Sequence, residues 1–234
     1  MDRLPRTIAI SALVLSAFAL TGALLVALID DSTREAARAN EQAYLLRLLN
    51  DVVPVNEYDN DLYADRIRVH DAQHLGTDAA VLVYRARRRG EPLAVLLTPV
   101  APDGYNGDIR LLVGIQVDGT VSGVRVIAHR ETPGLGDGIE VERSDWIHQF
   151  AGTSLDAPAV TGWRVRKDGG EFDQFTGATI TPRAIVAAVH AALRYVYAHR
   201  DTLFALPANS VWRGDQGETG KLSGENAGLG DAVR

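Results

Sequence analysis

The sequence predicts an α+β protein in which an N-terminal transmembrane helix precedes an antiparallel-sheet domain with flanking helices. Three observations carry this. An uncharged run from Thr7 to Ile29 is long enough to cross a bilayer as a helix. Short runs rich in Val, Leu and Tyr recur at strand length between Ala79 and Ala128. From Pro182 to His199 apolar residues return at helical spacing.

The elements follow in order. Arg3 and Arg6 precede the apolar run, and Asp30 and Asp31 follow it. The run outlasts the roughly 7–15 residues of a secretory signal core and ends without a small-x-small site, so it reads as an uncleaved anchor. The flanking charges put the N-terminus in the cytoplasm and export the rest. Ser32 to Leu49 is rich in helix formers, with Ala36, Ala43, Leu45, Leu46 and Leu49 able to share one face, and the helix stops before Pro54. Asn56 to Asp61 is a loop.

Ala79–Ala86, Leu93–Val100, Ile109–Val117 and Val121–Ala128 read as strands of a meander, the last two joined by the tight turn Asp118-Gly119-Thr120. Asp145–Phe150 reads as a short helix capped by Ser144, with Trp146, Ile147 and Phe150 inward. Gly162–Lys167 is expected as one more strand, turned by Asp168-Gly169-Gly170. In the helix from Pro182 to His199, Ile185, Val186, Val189, Leu193, Val196 and Tyr197 form the apolar face. From Pro207 the sequence is polar and glycine-rich and is expected to be disordered. The boundaries are thus 1–30 for the N-terminus and span, 31–78 for the membrane-proximal helix and loop, 79–206 for the folded domain and 207–234 for the tail. No internal repeat is visible.

Composition narrows the chemistry. With no cysteine there is neither a disulfide framework nor a thiolate metal site, so any redox role needs a bound cofactor. From Asp30 onward 29 acidic residues face 22 basic ones, which argues against nucleic acid. The cluster Arg85-Ala86-Arg87-Arg88-Arg89 leads into Gly90-Glu91-Pro92 between two apolar runs and reads as a solvated hairpin end. His70 and His74 have metal-ligand spacing on a helix but no supporting ligands, so they read as solvated histidines and no metal site is expected.

The stretch Asp173-Gln-Phe-Thr-Gly-Ala-Thr-Ile-Thr-Pro-Arg183 crowds three threonines before the last helix. Pro182 fits the first helical position and Thr181 the N-cap before it. Thr176 and Thr179 remain. Upstream of a helix start, Thr-Gly-Ala-Thr suits a phosphate, because unpaired amides and hydroxyls can donate and Gly177 lets the backbone approach. Many turns of ordinary structural use have the same composition. Nothing near Thr179 in sequence resembles a base that would activate its hydroxyl, since no histidine lies between it and Asp173.

Asp173-x-x-Thr176-Gly177-Ala178-Thr179 resembles the D-x-x-[ST]-G-A-T flavinylation motif of the FMN-binding domain family. His129-Arg-Glu131-Thr132-Pro133-Gly134-Leu135-Gly136 is similar to the H-x-E-T-P-G-L-G loop of the same family. The resemblance extends through Ala101–Gly107, the Asp118-Gly119 hairpin, Ser144-Asp145-Trp146 and Lys167–Arg183, and within the family it is to the G subunits of Rnf-type (Rsx) complexes.

The resemblance implies a membrane-anchored electron carrier with FMN held covalently through a phosphoester to Thr179, and no substrate turnover of its own. It implies attachment by a separate flavin transferase, with Asp173 as a recognition or positioning residue. Thr176, Gly177, Ala178, Thr181, Glu131, Thr132, Gly134 and Leu135 are the expected surroundings of the flavin, and Tyr105 is a possible stacking partner. Expected partners are the other membrane and cluster-binding subunits of a complex coupling ferredoxin and NAD to ion movement, or keeping the redox sensor SoxR reduced. The expected location is the bacterial inner membrane, with the flavin domain periplasmic. Two alternatives stay open: the C subunit of a sodium-translocating NADH:quinone oxidoreductase, which has the same modified threonine, and a flavin-free anchored scaffold.

Overall fold

A computed structural model describes residues 3–214, with the backbone alone at 3–7, 9 and 27–41. Two compact units are distinguished, Met1–Arg47 and Leu48–Arg234. Helix α1 (Arg3–Val52) is continuous through the expected anchor and membrane-proximal helix. Within the first unit Ile10, Leu13, Val14, Leu15, Phe18, Leu20, Leu24, Leu25 and Val26 stand exposed. Among the described residues no helix is long and apolar enough to cross a membrane. The side chains at 7, 9 and 27–29, inside the expected span, lie outside those residues.

The second unit is built on one sheet. Its strands are β1 (Arg66–His70), β2 (Val81–Arg88), β3 (Glu91–Leu97), β4 (Val100–Gly104), β5 (Gly107–Gln116), β6 (Val121–Ala128) and β7 (Val211–Arg213). Strand β5 pairs on one edge with β6, and on the other with β4 along its first half and β3 along its second. The run expected as one strand, Leu93–Val100, is therefore two. Pro99 separates them, having no amide to donate to a ladder. Beyond β3 come β2, β1 and β7 in order.

Alternation gives the sheet two buried faces. Val81 and Val83 of β2, Val95 and Leu97 of β3, and Leu111, Val113 and Ile115 of β5 face a core shared with helix α3 (Ile180–Ala205) through Ile185, Val186, Val189, Leu193 and Val196. Tyr197, expected on that face, is exposed. Tyr84, Leu96 and Leu112 are buried outside this cluster, as are Leu48, Leu49, Val52 and Val53 at the end of α1. Val52 occupies the space a side chain at Gly114 would need, 2.2 Å from where its Cβ would lie.

Four expectations are corrected. The sheet is mixed rather than antiparallel, because β7 runs parallel to β1. The chain from Pro207 is therefore not all tail: Trp212 is buried against the core, and only residues 215–234 of the expected tail lie outside the described residues. Gly162–Lys167 is not a strand: it overlaps two 3-10 turns, Val160–Gly162 and Arg166–Asp168, with an isolated β-bridge from Val165 to Phe172 between them. Gly170 lets the chain fold back tightly here, since a Cβ on it would sit 2.0 Å from the Arg164 carbonyl oxygen.

The fourth correction concerns the arginine cluster. Alternation turns Arg85 and Arg87 toward α3, and Arg85 is only 2% exposed. Its Nη1 donates to the carbonyls of Leu203 (3.0 Å) and Leu206 (2.5 Å), Nη2 pairs with Asp65, and Arg87 donates to Asp65 (2.8 Å) and to the Phe204 carbonyl (2.9 Å). Two guanidinium groups thus satisfy the carbonyls a helix leaves open at its C-terminus. Arg88 and Arg89 alone form the exposed hairpin end, with Arg89 at φ 54° and Gly90 at φ 83°.

Replacing Arg85 by Met should cost about 2–4 kcal/mol, because Asp65 and the helix carbonyls lose their donor away from solvent. Truncation after Leu206 should cost about 2–3 kcal/mol relative to truncation after Gly214, through loss of Trp212 and the β1–β7 ladder. Urea midpoints of the chains check both; equal midpoints for the two truncations would show that β7 adds no stability.

Candidate functional site

Three segments far apart in sequence meet at the start of α3: the turn between β4 and β5, the loop after β6, and the turn Phe175–Ala178. The meeting point is Glu131, 4% exposed. The Asn106 backbone amide donates to its Oε1 at 2.9 Å, and the Thr181 hydroxyl donates to its Oε2. A carboxylate that leaves water must have its lone pairs filled, and these two donors come from the β4–β5 turn and from the first turn of α3. Glu131 itself belongs to the loop after β6.

The loop is organised around that carboxylate. The Glu131 amide donates to Nδ1 of His129 at 3.0 Å, so the ring proton sits on Nε2, which lies 2.8 Å from Glu140 Oε1. Thr132 accepts from the Asn106 side-chain amide at 3.0 Å. The Gly134 amide donates to Asp137 at 2.8 Å, and Gly134 takes φ 79° to close the turn. Gly136 has no room for a side chain, since a Cβ there would lie 2.9 Å from the Glu131 carboxylate and 3.2 Å from the Thr181 hydroxyl.

The start of α3 differs from the expected one. Thr179 is the N-cap and Ile180 the first helical residue, so Thr181 lies inside the first turn, 1% exposed. The physical reason is twofold. Thr179 already has helical dihedrals (φ −90°, ψ −25°), and the buried Thr181 hydroxyl is satisfied by Glu131 rather than by a backbone amide. Pro182 is tolerated in the third position, where its missing amide would have had no helical acceptor. The Thr179 side chain makes no capping hydrogen bond, which leaves its hydroxyl uncommitted at the helix start among the described residues.

Preceding it, Phe175 to Ala178 is a tight turn in which Ala178 N–H donates to the Phe175 carbonyl at 3.2 Å and Gly177 takes φ 85°. Thr176 and Gly177 are exposed. Leu135, 52% exposed, comes within 3.9 Å of where a Gly177 Cβ would lie, so the loop and the turn are neighbours at the surface. Tyr105, 65% exposed, caps the β4–β5 turn beside Asn106, and Ile180 is exposed next to Thr179.

Asp173 is held on its backbone from both sides, its carbonyl accepting from Trp146 Nε1 (2.8 Å) and its amide donating to Gln149 (2.9 Å). Its carboxylate stays exposed and pairs with Arg166 at 3.0 Å. Sequence reasoning missed Asn106, Trp146 and Gln149 as site-building residues. Asn106 stands in a Gly-Tyr-Asn-Gly turn, but nothing in the sequence marks its partner 25 residues on.

Comparison with known proteins bears on the same segments. The model of the FMN-binding domain family matches residues 104–194, and that of the RnfG N-terminal region matches residues 1–52. The G subunit of the ion-translocating oxidoreductase complex of Vibrio atlanticus is 48% identical over 197 residues, covering 84% of this chain and 94% of its own length. Its counterpart in Pseudomonas aeruginosa strain UCBPP-PA14 is 49% identical over 195 residues (83% and 91%), and that in Shewanella oneidensis 45% identical over 197 residues (84% and 93%).

Glu131→Ala should destabilise the chain by about 2–4 kcal/mol, since it strands the Asn106 amide and the Thr181 hydroxyl. Glu131→Gln keeps an acceptor of the same shape and should cost about 1 kcal/mol. Thermal or urea unfolding of the two variants measures the difference; equal costs would mean the carboxylate is not the clamp.

Proposed function

The chain belongs to the G-subunit family of ion-translocating oxidoreductase complexes, and on that premise we propose that it is the flavin-carrying electron-relay subunit of such a complex, with FMN held covalently on Thr179. The observation that carries this reading is the uncommitted Thr179 hydroxyl at the head of a 26-residue helix, inside the D-x-x-T-G-A-T turn.

The residues fit a phosphoester there. The amides of Ile180 and Thr181 stand at a helix start, where no intrahelical carbonyl takes them. Gly177 at φ 85° supports a turn with no side chain over the approach to Thr179. Exposed Leu135, Tyr105 and Ile180 offer apolar surface for an aromatic ring. Glu131 and Thr181 point inward and serve the framework; Thr132, Gly134 and Ala178 shape the rim. When bound, flavin supplies the one- and two-electron chemistry, while the chain supplies position and electrostatic surroundings.

In attachment, Thr179 Oγ1 would accept the FMN phosphoryl group of FAD, giving up its proton to a base outside this chain, with AMP as the leaving group. The agent would be a flavin transferase, for which exposed Asp173 is a recognition residue. The anchor is the Thr7–Ile29 run, with Arg3 and Arg6 cytoplasmic and the sheet domain periplasmic. Its partners would be the membrane and cluster-binding subunits of the complex.

Thr179→Ala should abolish a flavin-sized increment in intact mass while the chain stays folded, because a half-exposed side chain without hydrogen bonds contributes little to stability. Thr176→Ser should be nearly silent and Thr179→Ser partly modified. Thr181→Ala should keep the increment and lower stability by about 1–3 kcal/mol, as Glu131 loses a buried donor. Mass spectrometry of each variant co-expressed with a flavin transferase decides; an increment on Thr179→Ala would overturn the acceptor.

A further inference from the structure

Near the start of α3 lies a charge cluster that the electron-relay reading does not use. Asp168 ends the 3-10 turn Arg166–Asp168, and Arg183 grips it through Nε (2.6 Å) and Nη2 (2.9 Å). These hydrogen bonds, with the fields of Arg183, Lys167 and Arg164, hold the Asp168 carboxyl below its ordinary range. A single guanidinium thus grips this anion through two hydrogen bonds, in a chain whose net charge is −6. Arg166, next in line, is engaged by Asp173 instead.

Arg183 also stands one helical turn beyond Thr179, and its amide donates to the Thr179 carbonyl at 3.2 Å. Side chains on a helix lean toward its N-terminus, and residues four apart share a face. The Arg183 guanidinium, 48% exposed and held by Asp168, therefore projects from the same helix face as Thr179, toward the N-terminal end. Its contribution to stability through Asp168 is small, because exposed ion pairs are screened by water.

We propose that Arg183 is the phosphate-pairing residue for the group attached at Thr179, and that Asp168 fills its guanidinium fork in the unmodified chain. This rests on Thr179 being the acceptor. A phosphodiester carries one negative charge and two free oxygens, the same charge and fork that a carboxylate presents to a guanidinium. Asp168 is therefore a built-in competitor. Pairing with phosphate would release it, leaving Lys167 and Arg164 to balance it.

The experiment uses the full chain in detergent with a flavin transferase and FAD, comparing Arg183→Gln, Asp168→Asn and, as a control for charge on the same helix, Arg194→Gln. Both test substitutions break the same ion pair, so a merely structural pair predicts that they behave alike. The proposal predicts opposite signs: the initial rate of mass gain falls about tenfold in Arg183→Gln, the size of one charge-assisted contact, and rises in Asp168→Asn. Arg194→Gln should match the parent. The phosphorus-31 resonance of the modified chain should move toward that of a free phosphodiester in Arg183→Gln alone. Changes of equal sign in the two test variants, or an unmoved resonance in Arg183→Gln, would overturn the proposal. Failure of the acceptor assignment shows separately, as a flavin increment that survives Thr179→Ala.

Discussion

The buried carboxylate of Glu131 constrains the candidate site because two donors from distant segments must both reach it. Ionised oxygen away from water is costly unless its lone pairs are filled, so the Asn106 amide and the Thr181 hydroxyl are required partners. That requirement fixes where the β4–β5 turn and the first turn of α3 sit relative to the loop after β6. The Cβ-less Gly136 makes room for the contact, and His129 orients the Glu131 backbone from behind.

The opposite end of α3 is held by the complementary charge. Arg85 and Arg87, projecting from β2, donate to the carbonyls that close the helix, with Asp65 balancing them. A buried carboxylate near the N-terminus and guanidinium groups at the C-terminus match the helix dipole at each end. Between them Ile185, Val189, Leu193 and Val196 pack on the sheet. The helix is thereby fixed in both translation and rotation, and Thr179 at its head inherits that position.

This arrangement separates the groups that build the site from those that can meet a ligand. Glu131 and Thr181 are turned inward, whereas Leu135, Thr176 and Ile180 face solvent near Thr179 and Tyr105 faces solvent on the β4–β5 turn. An electron carrier gains from that division, since its cofactor brings the redox chemistry and the protein has mainly to hold it in place. On the segments either side of the same turn, exposed charges form two ion pairs, Arg166 with Asp173 and Arg183 with Asp168.

Local patterns determined much of this in the sequence alone. Alternation marked β5 and β6, the Ser144 hydroxyl capped the Asp145–Phe150 turn as its position required, and the D-x-x-T-G-A-T and H-x-E-T-P-G-L-G stretches marked the site and the family. Of these, the motifs establish the family, and the strands and cap depend on neighbours a few residues apart. What only the tertiary structure decided depends on partners far along the chain. Arg85 looked like a solvated turn residue until β2 alternation met the end of α3, more than a hundred residues on. Thr181 looked like a cap until Glu131 claimed its hydroxyl, and Val211–Arg213 looked like tail until the open edge of β1 paired with it. Periodicity and capping are short-range and can be read along the chain, whereas the satisfaction of a buried charge or an unpaired strand edge is known only once the fold has brought its partner to it.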